Sequence, residues 1–176
     1  MWLPTWLGRS YAKLYAHLGL RPFDFATACS LLGSEEQRVR VILSRLRKAG
    51  YLALFRKIGR KRIYRLMDPS LAVLALGSGL EGYAKIQGKY VRLLLLFLKK
   101  ILEKYDEKAF SIIVYGSVAR GCAKEDSDID LLLIIDQLPP SYSKRIDELV
   151  SLELDQPIRD ELEFLRREGY STGFSY

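Results

Sequence analysis

The chain of 176 residues contains no asparagine, a single histidine and only two cysteines. His17 stands alone, and Cys29 and Cys122 lie far apart in the sequence. This pattern excludes a zinc-ligand cluster and the disulfide framework of a small secreted domain. We therefore interpret both cysteines as structural and expect a reducing compartment, the cytoplasm. The absence of the thermolabile asparagine side chain favours a source that lives at high temperature.

Long hydrophobic runs are scarce as well. The most apolar stretch, VRLLLLFL at 91–98, is far shorter than the roughly 20 residues that a membrane-spanning helix needs. It also runs directly into Lys99 and Lys100. The N-terminus shows no basic region followed by an apolar core, which is the pattern of a secretory signal. The sequence therefore predicts no membrane association.

Charge is distributed unevenly along the chain, whose net charge is +7. Residues 1–68 carry 14 lysines and arginines against 4 acidic residues, whereas residues 106–176 carry 8 against 15. A basic front and an acidic back indicate two modules with different partners.

The front module shows the spacing of three helices. The first covers 5–19 and the second 23–33, where Gly33 ends it. Ser34 and Gln37 match a capping box for the third helix. That helix carries an apolar stripe, which we expect to point inward: Val39, Ile42, Leu43, Leu46 and Ala49.

Two β-like runs, YLALFRK and RKRIYRL, follow and join across Ile58-Gly59 in a hairpin with a basic tip. This order of elements resembles a winged helix-turn-helix over roughly residues 5–68, and we assign residues 1–68 to that domain. The resemblance implies that residues 34–65 bind nucleic acid, DNA rather than RNA. The expected contacts come from the outer face of the third helix and from the hairpin: Arg40, Ser44, Arg47, Lys48, Arg56, Lys57, Arg60, Lys61 and Arg62. A protein-contact or dimerisation module is the alternative, and we expect a homodimer.

Residues 69–82 read as a connector between two domains. A short apolar helix is predicted between Pro69 and Gly77, and further glycines mark the boundary. A long helix is then predicted from about residue 83 to 105. Its wide apolar stripe is typical of a helix that faces a core: Tyr90, Leu93, Leu94, Phe97, Ile101 and Leu102.

The motif GSVARGCAKEDSDID occupies 116–130, between two apolar runs that read as buried strands, FSIIVY and LLLII. Gly116 lets the backbone approach a ligand closely. A short helix is predicted over 117–124, and its N-terminus and the Ser117 hydroxyl offer donors to phosphate oxygens. Arg120 can add a charge-assisted contact. This half of the motif predicts a phosphate-binding turn.

Asp128 and Asp130 lie two positions apart on an extended chain, so their carboxylates point the same way. Two carboxylates beside a phosphate-binding turn suit Mg²⁺, which combines a few carboxylates with substrate phosphates. The second half of the motif therefore predicts a metal site.

Together, the G-S turn, the R-G pair and the D-x-D before an apolar strand resemble the nucleotidyltransferase superfamily of DNA polymerase beta, and more narrowly the minimal nucleotidyltransferases of archaea and bacteria. The resemblance covers roughly residues 83–176. It implies that Gly116 and Ser117 hold a nucleoside triphosphate, with ATP expected, and Arg120 is the further phosphate contact predicted above. Asp128 and Asp130 would be the catalytic, Mg²⁺-binding residues that transfer a nucleoside monophosphate to a hydroxyl. The predicted fold class is α+β, a winged helix-turn-helix followed by an α/β domain with a small mixed sheet flanked by helices.

Members of this superfamily usually carry a third carboxylate on a later strand. Here residues 143–168 read as helical with a break at Pro157. The tail GYSTGFSY reads as the start of a third strand, and no acid appears in it. Either the sequence is a truncated piece or the third acid is missing. The other acidic residues, Glu153 among them, read as a solvated helix face. One alternative function is a DNA-binding regulator whose nucleotidyltransferase-like domain is inactive or only binds nucleotide. Another is an antitoxin-type protein that pairs with an all-helical partner of the HEPN family.

Overall fold

The structure is a computed structural model that describes residues 3–77, 86–137 and 139–176. Its contacts divide the chain into two units, Met1–Leu80 and Glu81–Tyr176. The end of the predicted connector, 78–82, and the predicted start of the long helix, 83–85, lie outside the described residues.

The first unit combines helices with a three-stranded antiparallel sheet in the order β1-β3-β2. The helices are α1 Thr5–Leu18, α2 Phe25–Leu32, α3 Glu36–Lys48 and α4 Pro69–Gly77, and the strands are β1 Phe23–Asp24, β2 Leu52–Ile58 and β3 Lys61–Leu66. Four of the five apolar residues in the predicted stripe of α3 are buried, which confirms its inward face: Val39, Ile42, Leu43 and Leu46.

Two helix starts differ from the prediction. Glu35, not Ser34, occupies the N-cap of α3, because the first helical bond runs from the Val39 amide to the Glu35 carbonyl. Glu35 makes no side-chain cap bond. The capping-box prediction is therefore wrong. The second helix starts at Phe25, because the Asp24 carboxylate caps it by accepting from the Thr27 amide at 2.8 Å. The two residues before it pair with β3 instead.

The predicted hairpin is confirmed. Strands β2 and β3 pair antiparallel, with Ile58 opposite Lys61 across a two-residue turn. Gly59 in this turn has a φ of 57°, in the left-handed region that glycine adopts without steric cost. The basic residues of the hairpin tip therefore lie on paired strands, which follow a shift of register between Leu54 and Arg56.

The second unit begins with α5 Gly88–Tyr105 and one 3₁₀ turn, Asp106–Lys108. Then follow β4 Ala109–Tyr115, α6 Gly116–Ala119, β5 Ile129–Ile135, α7 Tyr142–Glu153, α8 Gln156–Arg167 and β6 Phe174–Ser175. The sheet is mixed, as predicted: β5 pairs antiparallel with β4 and parallel with β6. Pro157 sits at the start of α8, so the predicted break in the helical region is confirmed. A third strand lies in the tail where it was expected.

Helix α5 forms the centre of the second unit, with a buried stripe that includes Tyr90, Leu93, Phe97 and Ile101. Ion pairs and hydrogen bonds link it to α7 and α8, for example Tyr105 to Glu148 and Lys100 to Asp155. Despite this apolar stripe, none of the helices in the described ranges has the length and hydropathy that crossing a membrane requires.

The β4–β5 ribbon is not buried on both faces, contrary to the prediction. Ile113, Leu132 and Ile134 are between 43% and 52% exposed, whereas Ile129 and Leu131 are buried. An antiparallel pair can leave one face open to water, because its connections do not require helices on both faces. The open face of this sheet carries the acidic pair described below.

Candidate functional site

The first part of the site is the turn at the end of β4. Gly116 has a φ of 67°, and a Cβ at this position would collide with the Asp130 carboxylate. The two residues come together because Tyr115, the neighbour of Gly116, pairs with Asp130 across the β4–β5 ladder. Glycine is therefore required here both by the backbone conformation and by the carboxylate beside it.

The helix predicted over 117–124 is only one turn long, Gly116–Ala119. Gly121 has a φ of 72°, its amide donates to the Val118 carbonyl, and the Cys122 amide donates to the Ser117 carbonyl. This is the bonding pattern of a Schellman motif, which ends a helix. Ser117 and Arg120 therefore lie on a tight turn beside Gly116, and Arg120 is exposed.

The acidic pair alternates with buried residues at the start of β5. Ile129 is 0% exposed and Leu131 is 2% exposed, so Asp128 and Asp130 lie on the opposite, open face of the strand. Asp128 is exposed and Asp130 is half-buried. The structure thus places both carboxylates on one face, with Asp130 against the Gly116 turn.

Residues that the sequence reading missed hold Asp128 in place. The Gly173 amide donates to Asp128 Oδ1 at 2.9 Å, and the Thr172 hydroxyl donates to the Ser127 carbonyl at 2.8 Å. Ser127 Oγ in turn accepts from the Lys124 amide at 2.9 Å. The sequence signal for these contacts was the small polar cluster S-T-G at 171–173. It does not reveal its partners, which lie 45 residues earlier in the chain.

Helix α5 contacts the same loop from another side. The Tyr90 hydroxyl donates to the Lys124 carbonyl at 2.9 Å. The side-chain amide of Gln87, at the N-cap of α5, donates to the Gly121 carbonyl at 2.7 Å. Burial raises the pKa of Tyr90 to about 12, and the charge of Asp128 contributes to the increase. The phenol therefore stays protonated and can act as a donor at neutral pH.

Lys89 is another buried group beside this loop. It is 8% exposed, and its ammonium lies 4.1 Å from the Tyr170 ring centre and 4.8 Å from that of Tyr90. Burial lowers the pKa of Lys89, although nearby Glu125 acts in the opposite direction. Attraction to the aromatic faces offsets part of the free-energy cost of removing such a cation from water.

Glu153 departs from its predicted place on a solvated helix face. Its side chain is half-buried and accepts a hydrogen bond of 2.6 Å from the Tyr176 hydroxyl. Burial raises the pKa of Glu153, the hydrogen bond from Tyr176 acts in the opposite direction, and the charge of Asp128 adds to the increase. The prediction is wrong because the end of α7 meets the β6 edge, a long-range contact that the helical pattern does not reveal.

Among the residues that the structure describes, no three His, Cys, Asp or Glu side chains lie close enough to share one metal ion. Asp128 and Asp130 alone fit Mg²⁺, which takes one or two carboxylates and completes its shell with phosphate oxygens and water. The Asp130 carboxylate occupies the position that a Cβ of Gly116 would take, so the glycine lets this carboxylate lie directly against the turn. The donor set suits a metal that arrives with a phosphate ligand rather than a closed protein cage.

In the first unit, a cavity of ≈ 770 Å³ lies between α2, α3 and the hairpin. Six of the nine predicted nucleic-acid contacts line it: Arg40, Ser44, Arg47, Arg60, Lys61 and Arg62. Lys48, Arg56 and Lys57 are not among its lining residues. We call this cavity the basic groove.

Two cations of the basic groove have partners within the groove: Lys61 forms a salt bridge with Asp24, and Arg40 stacks on the Phe25 ring. Lys61 Nζ lies 2.6 Å from Asp24 Oδ2, and this contact, together with the bonds from Thr27, holds the pKa of Asp24 far below its usual value. The Arg40 guanidinium lies 4.6 Å above the Phe25 ring centre. Sequence reasoning counted Lys61 as a free cation, but the structure pairs it with Asp24.

Comparison with known proteins bears on the second unit. Residues 96–169 match the family model described as a nucleotidyltransferase domain. Over 74 residues the chain is 43% identical to a Methanocaldococcus jannaschii protein that carries the provisional name protein adenylyltransferase. That match covers 42% of this chain and 44% of the relative, so the chain spans less than half of the relative's length. No solved structure matches the chain at a significant level. The resemblance read from the 116–130 motif is confirmed at this level: the chain contains a nucleotidyltransferase-type domain over residues 96–169.

Proposed function

We propose that the second unit is a Mg²⁺-dependent nucleotidyltransferase that transfers a nucleoside monophosphate from a nucleoside triphosphate, ATP in the first instance, to a hydroxyl. The observation that carries this proposal is the close approach of Gly116 to Asp130, with Asp128 on the same open face. This pairing of a side-chain-free turn with two carboxylates lies within the segment that matches the family.

The roles follow from the positions of the residues. Asp128 and Asp130 would hold Mg²⁺, which when bound neutralises the triphosphate and polarises its α-phosphate. Gly116 allows the triphosphate to approach the backbone, and the Ser117 hydroxyl can donate a hydrogen bond to it. Arg120 is exposed on the same turn and can place a positive charge on the phosphates.

In the proposed reaction, the oxygen of the acceptor hydroxyl forms a bond to the α-phosphorus. The bond from that phosphorus to the oxygen bridging the β-phosphate breaks, and pyrophosphate leaves with the electron pair. The hydroxyl proton passes to solvent. The Methanocaldococcus jannaschii relative, named as a protein adenylyltransferase, supports ATP as donor and a protein hydroxyl as acceptor.

The test is Mg²⁺-dependent binding of ATP by the full chain, measured by calorimetry, together with release of pyrophosphate. Asp128→Asn and Asp130→Asn should each reduce binding at least tenfold, because each removes one of two anionic ligands of the metal. Asp147→Asn alters an exposed acid on α7 and should bind as the unaltered chain does. Equal binding by all four proteins would contradict the proposal.

We further propose that the first unit is a winged helix-turn-helix that binds nucleic acid, DNA rather than RNA, through the basic groove. Helices α1 to α3 are followed by a basic hairpin, and β1 adds a third strand to that hairpin. Such a unit places α3 in a groove of the duplex and the hairpin on the phosphates. Gel shifts with a DNA duplex and an RNA duplex of equal sequence test this, and tighter binding of the RNA would overturn the preference.

Three further expectations remain proposals. A DNA-binding regulator with a silent second unit would bind DNA but release no pyrophosphate. An antitoxin-type protein would purify with an all-helical partner of the HEPN family. A homodimer would show twice the chain mass in light scattering. The Asp128→Asn variant separates the first case from an enzyme, because it changes pyrophosphate release only if the second unit is active.

A further inference from the structure

The short segment 172–173 makes three hydrogen bonds to residues 127–129, the start of β5 and the loop before it. The Thr172 hydroxyl donates to the Ser127 carbonyl and the Gly173 amide to Asp128 Oδ1, at 2.8 and 2.9 Å. The Ile129 amide donates to the Gly173 carbonyl at 2.9 Å. Each of the residues 127, 128 and 129 is thus hydrogen-bonded to residue 172 or 173. Strands β5 and β6 then pair in parallel. We call residues 172–173 the strap.

The strap determines which oxygen of Asp128 remains available. A carboxylate oxygen that accepts a backbone amide is fixed in direction, because the charge-assisted bond is short and the donor is part of a strand. Asp128 Oδ1 is held in this way, which leaves Oδ2 as the oxygen directed to a ligand. An exposed aspartate without such a bond would sample several rotamers. The conformational entropy lost when a metal fixes one of them would weaken metal binding.

The loop before Asp128 is anchored on its other side. Tyr90 has no exposed surface, and its hydroxyl donates to the Lys124 carbonyl, while the Lys124 amide donates to Ser127 Oγ. Both backbone polar groups of Lys124 are therefore engaged, its carbonyl by α5 and its amide by the loop itself. Movement of the loop toward solvent would break the bond from Tyr90.

We propose that Thr172 and Gly173, with Tyr90 on the opposite side, are positioning residues of the metal site, which hold Asp128 so that only Oδ2 faces a divalent cation. This inference rests on the proposed function of Asp128 and Asp130. The strap and Tyr90 lie outside residues 96–169, the segment that matches the family. They touch neither phosphate nor acceptor in this role and act through Asp128 alone.

The experiment measures Mn²⁺ binding to the full chain by electron paramagnetic resonance, with and without a non-hydrolysable ATP analogue. Thr172→Val keeps the shape and removes the hydroxyl, and it should weaken Mn²⁺ binding roughly tenfold, the lower range for partners of metal ligands. Thr172→Ser restores the donor and should bind within about twofold of the unaltered chain. The melting temperature without metal should change by a few degrees at most.

Ser151→Ala is the matched control, because it removes a hydroxyl bonded to a backbone carbonyl, that of Glu148, on α7. It should leave Mn²⁺ binding unchanged. If Thr172→Val fails to fold, Tyr90→Phe decides, since it keeps the buried ring and removes only the donor to Lys124. Tyr90→Phe should weaken Mn²⁺ binding severalfold.

A Thr172→Val protein that melts earlier but binds Mn²⁺ like the unaltered chain would overturn the inference, since the strap would then serve the fold alone. The same holds if Thr172→Ser fails to rescue binding. Failure of the proposed function looks different: Asp128→Asn and Asp130→Asn would then leave Mn²⁺ binding as it is.

Discussion

Gly116 faces the Asp130 carboxylate with no space for a side chain between them. This relationship explains why a glycine ends β4, since the position needs a positive φ as well as the missing Cβ. A substitution at Gly116 would therefore combine two effects, backbone strain and displacement of the Asp130 carboxylate. A control at another glycine with a positive φ separates them.

Gly116→Ala is expected to abolish or strongly reduce Mg²⁺-dependent ATP binding, because its methyl group displaces Asp130. Gly33→Ala is the control: Gly33 has a φ of 61° with no atom within 4 Å of the added Cβ. Both variants should lose about 1–2 kcal/mol from the left-handed conformation. Calorimetric titration with Mg²⁺ and ATP checks this, and undiminished binding by Gly116→Ala would show that Asp130 has another role.

The Asp24–Lys61 pair predicts a pH-dependent stability. The pKa of Asp24 is depressed in the folded state, so its contribution is present above its ordinary value, about 3.8, and is lost as the pH falls below that value. Asp24→Asn should therefore unfold more easily than the unaltered chain at pH 7, and the difference should shrink below about pH 4. Urea unfolding at several pH values measures it.

A second substitution at Asp24 separates the ion pair from the helix cap. Asp24→Asn can still accept from the Thr27 amide, whereas Asp24→Ala cannot, and loss of an N-cap costs about 0.5–2 kcal/mol. Alanine should be the less stable variant at every pH. A pH-independent difference between Asp24→Asn and the unaltered chain would show that Lys61 contributes nothing.

The basic groove predicts a defined salt dependence of DNA binding. Four of its cations are arginines, Arg40, Arg47, Arg60 and Arg62. If each neutralises one phosphate, the logarithm of the binding constant should fall with log salt at a slope of about −3 to −4. Arg47→Ala should reduce that slope by about one. Arg159→Ala alters an exposed arginine of α8 and should leave the slope unchanged; a flat dependence would argue against phosphate contacts.

The ion pair between Arg92 and Glu161 predicts a large effect on stability. The two atoms lie 2.6 Å apart, and the side chains are only 14% and 1% exposed. Removal of one partner leaves a charge with little access to water, so Glu161→Gln should cost about 3–5 kcal/mol. Replacement of both by Met and Leu should recover most of that loss. Lys99→Ala breaks a pair that is about half exposed and should cost about 1 kcal/mol or less. Thermal unfolding followed by circular dichroism compares the three.

The elements that could be predicted from sequence are those whose cause is local. The 116–130 motif contains its own turn glycine and its own alternation of acidic and apolar residues, so the structure places Asp128 and Asp130 on one face as the spacing implies. The β2–β3 hairpin was likewise predicted from adjacent residues. The predicted length of α6 was wrong, because Gly121 ends the helix one turn after it begins.

The features that were missed depend on partners distant in sequence. Thr172 and Gly173 meet residues 127 and 128 across 45 positions, and Lys61 meets Asp24 across 37. A helical pattern shows which residues of α7 are polar, but it does not show that Glu153 lies beside Tyr176. Local propensity carries no information about such contacts, which arise only when the chain packs.

The parallel pairing of β5 and β6 has a consequence for the order of folding. Residues 136–173 pass through α7 and α8 before β6 reaches β5, and long connections close more slowly than hairpins. The β4–β5 ribbon can form early, since its strands are close in sequence. The Gly173 amide that bonds to Asp128 follows both helices in the chain, so we expect it to reach β5 after they have formed. We therefore expect a refolding chain to regain its helical circular dichroism before it regains Mn²⁺ binding.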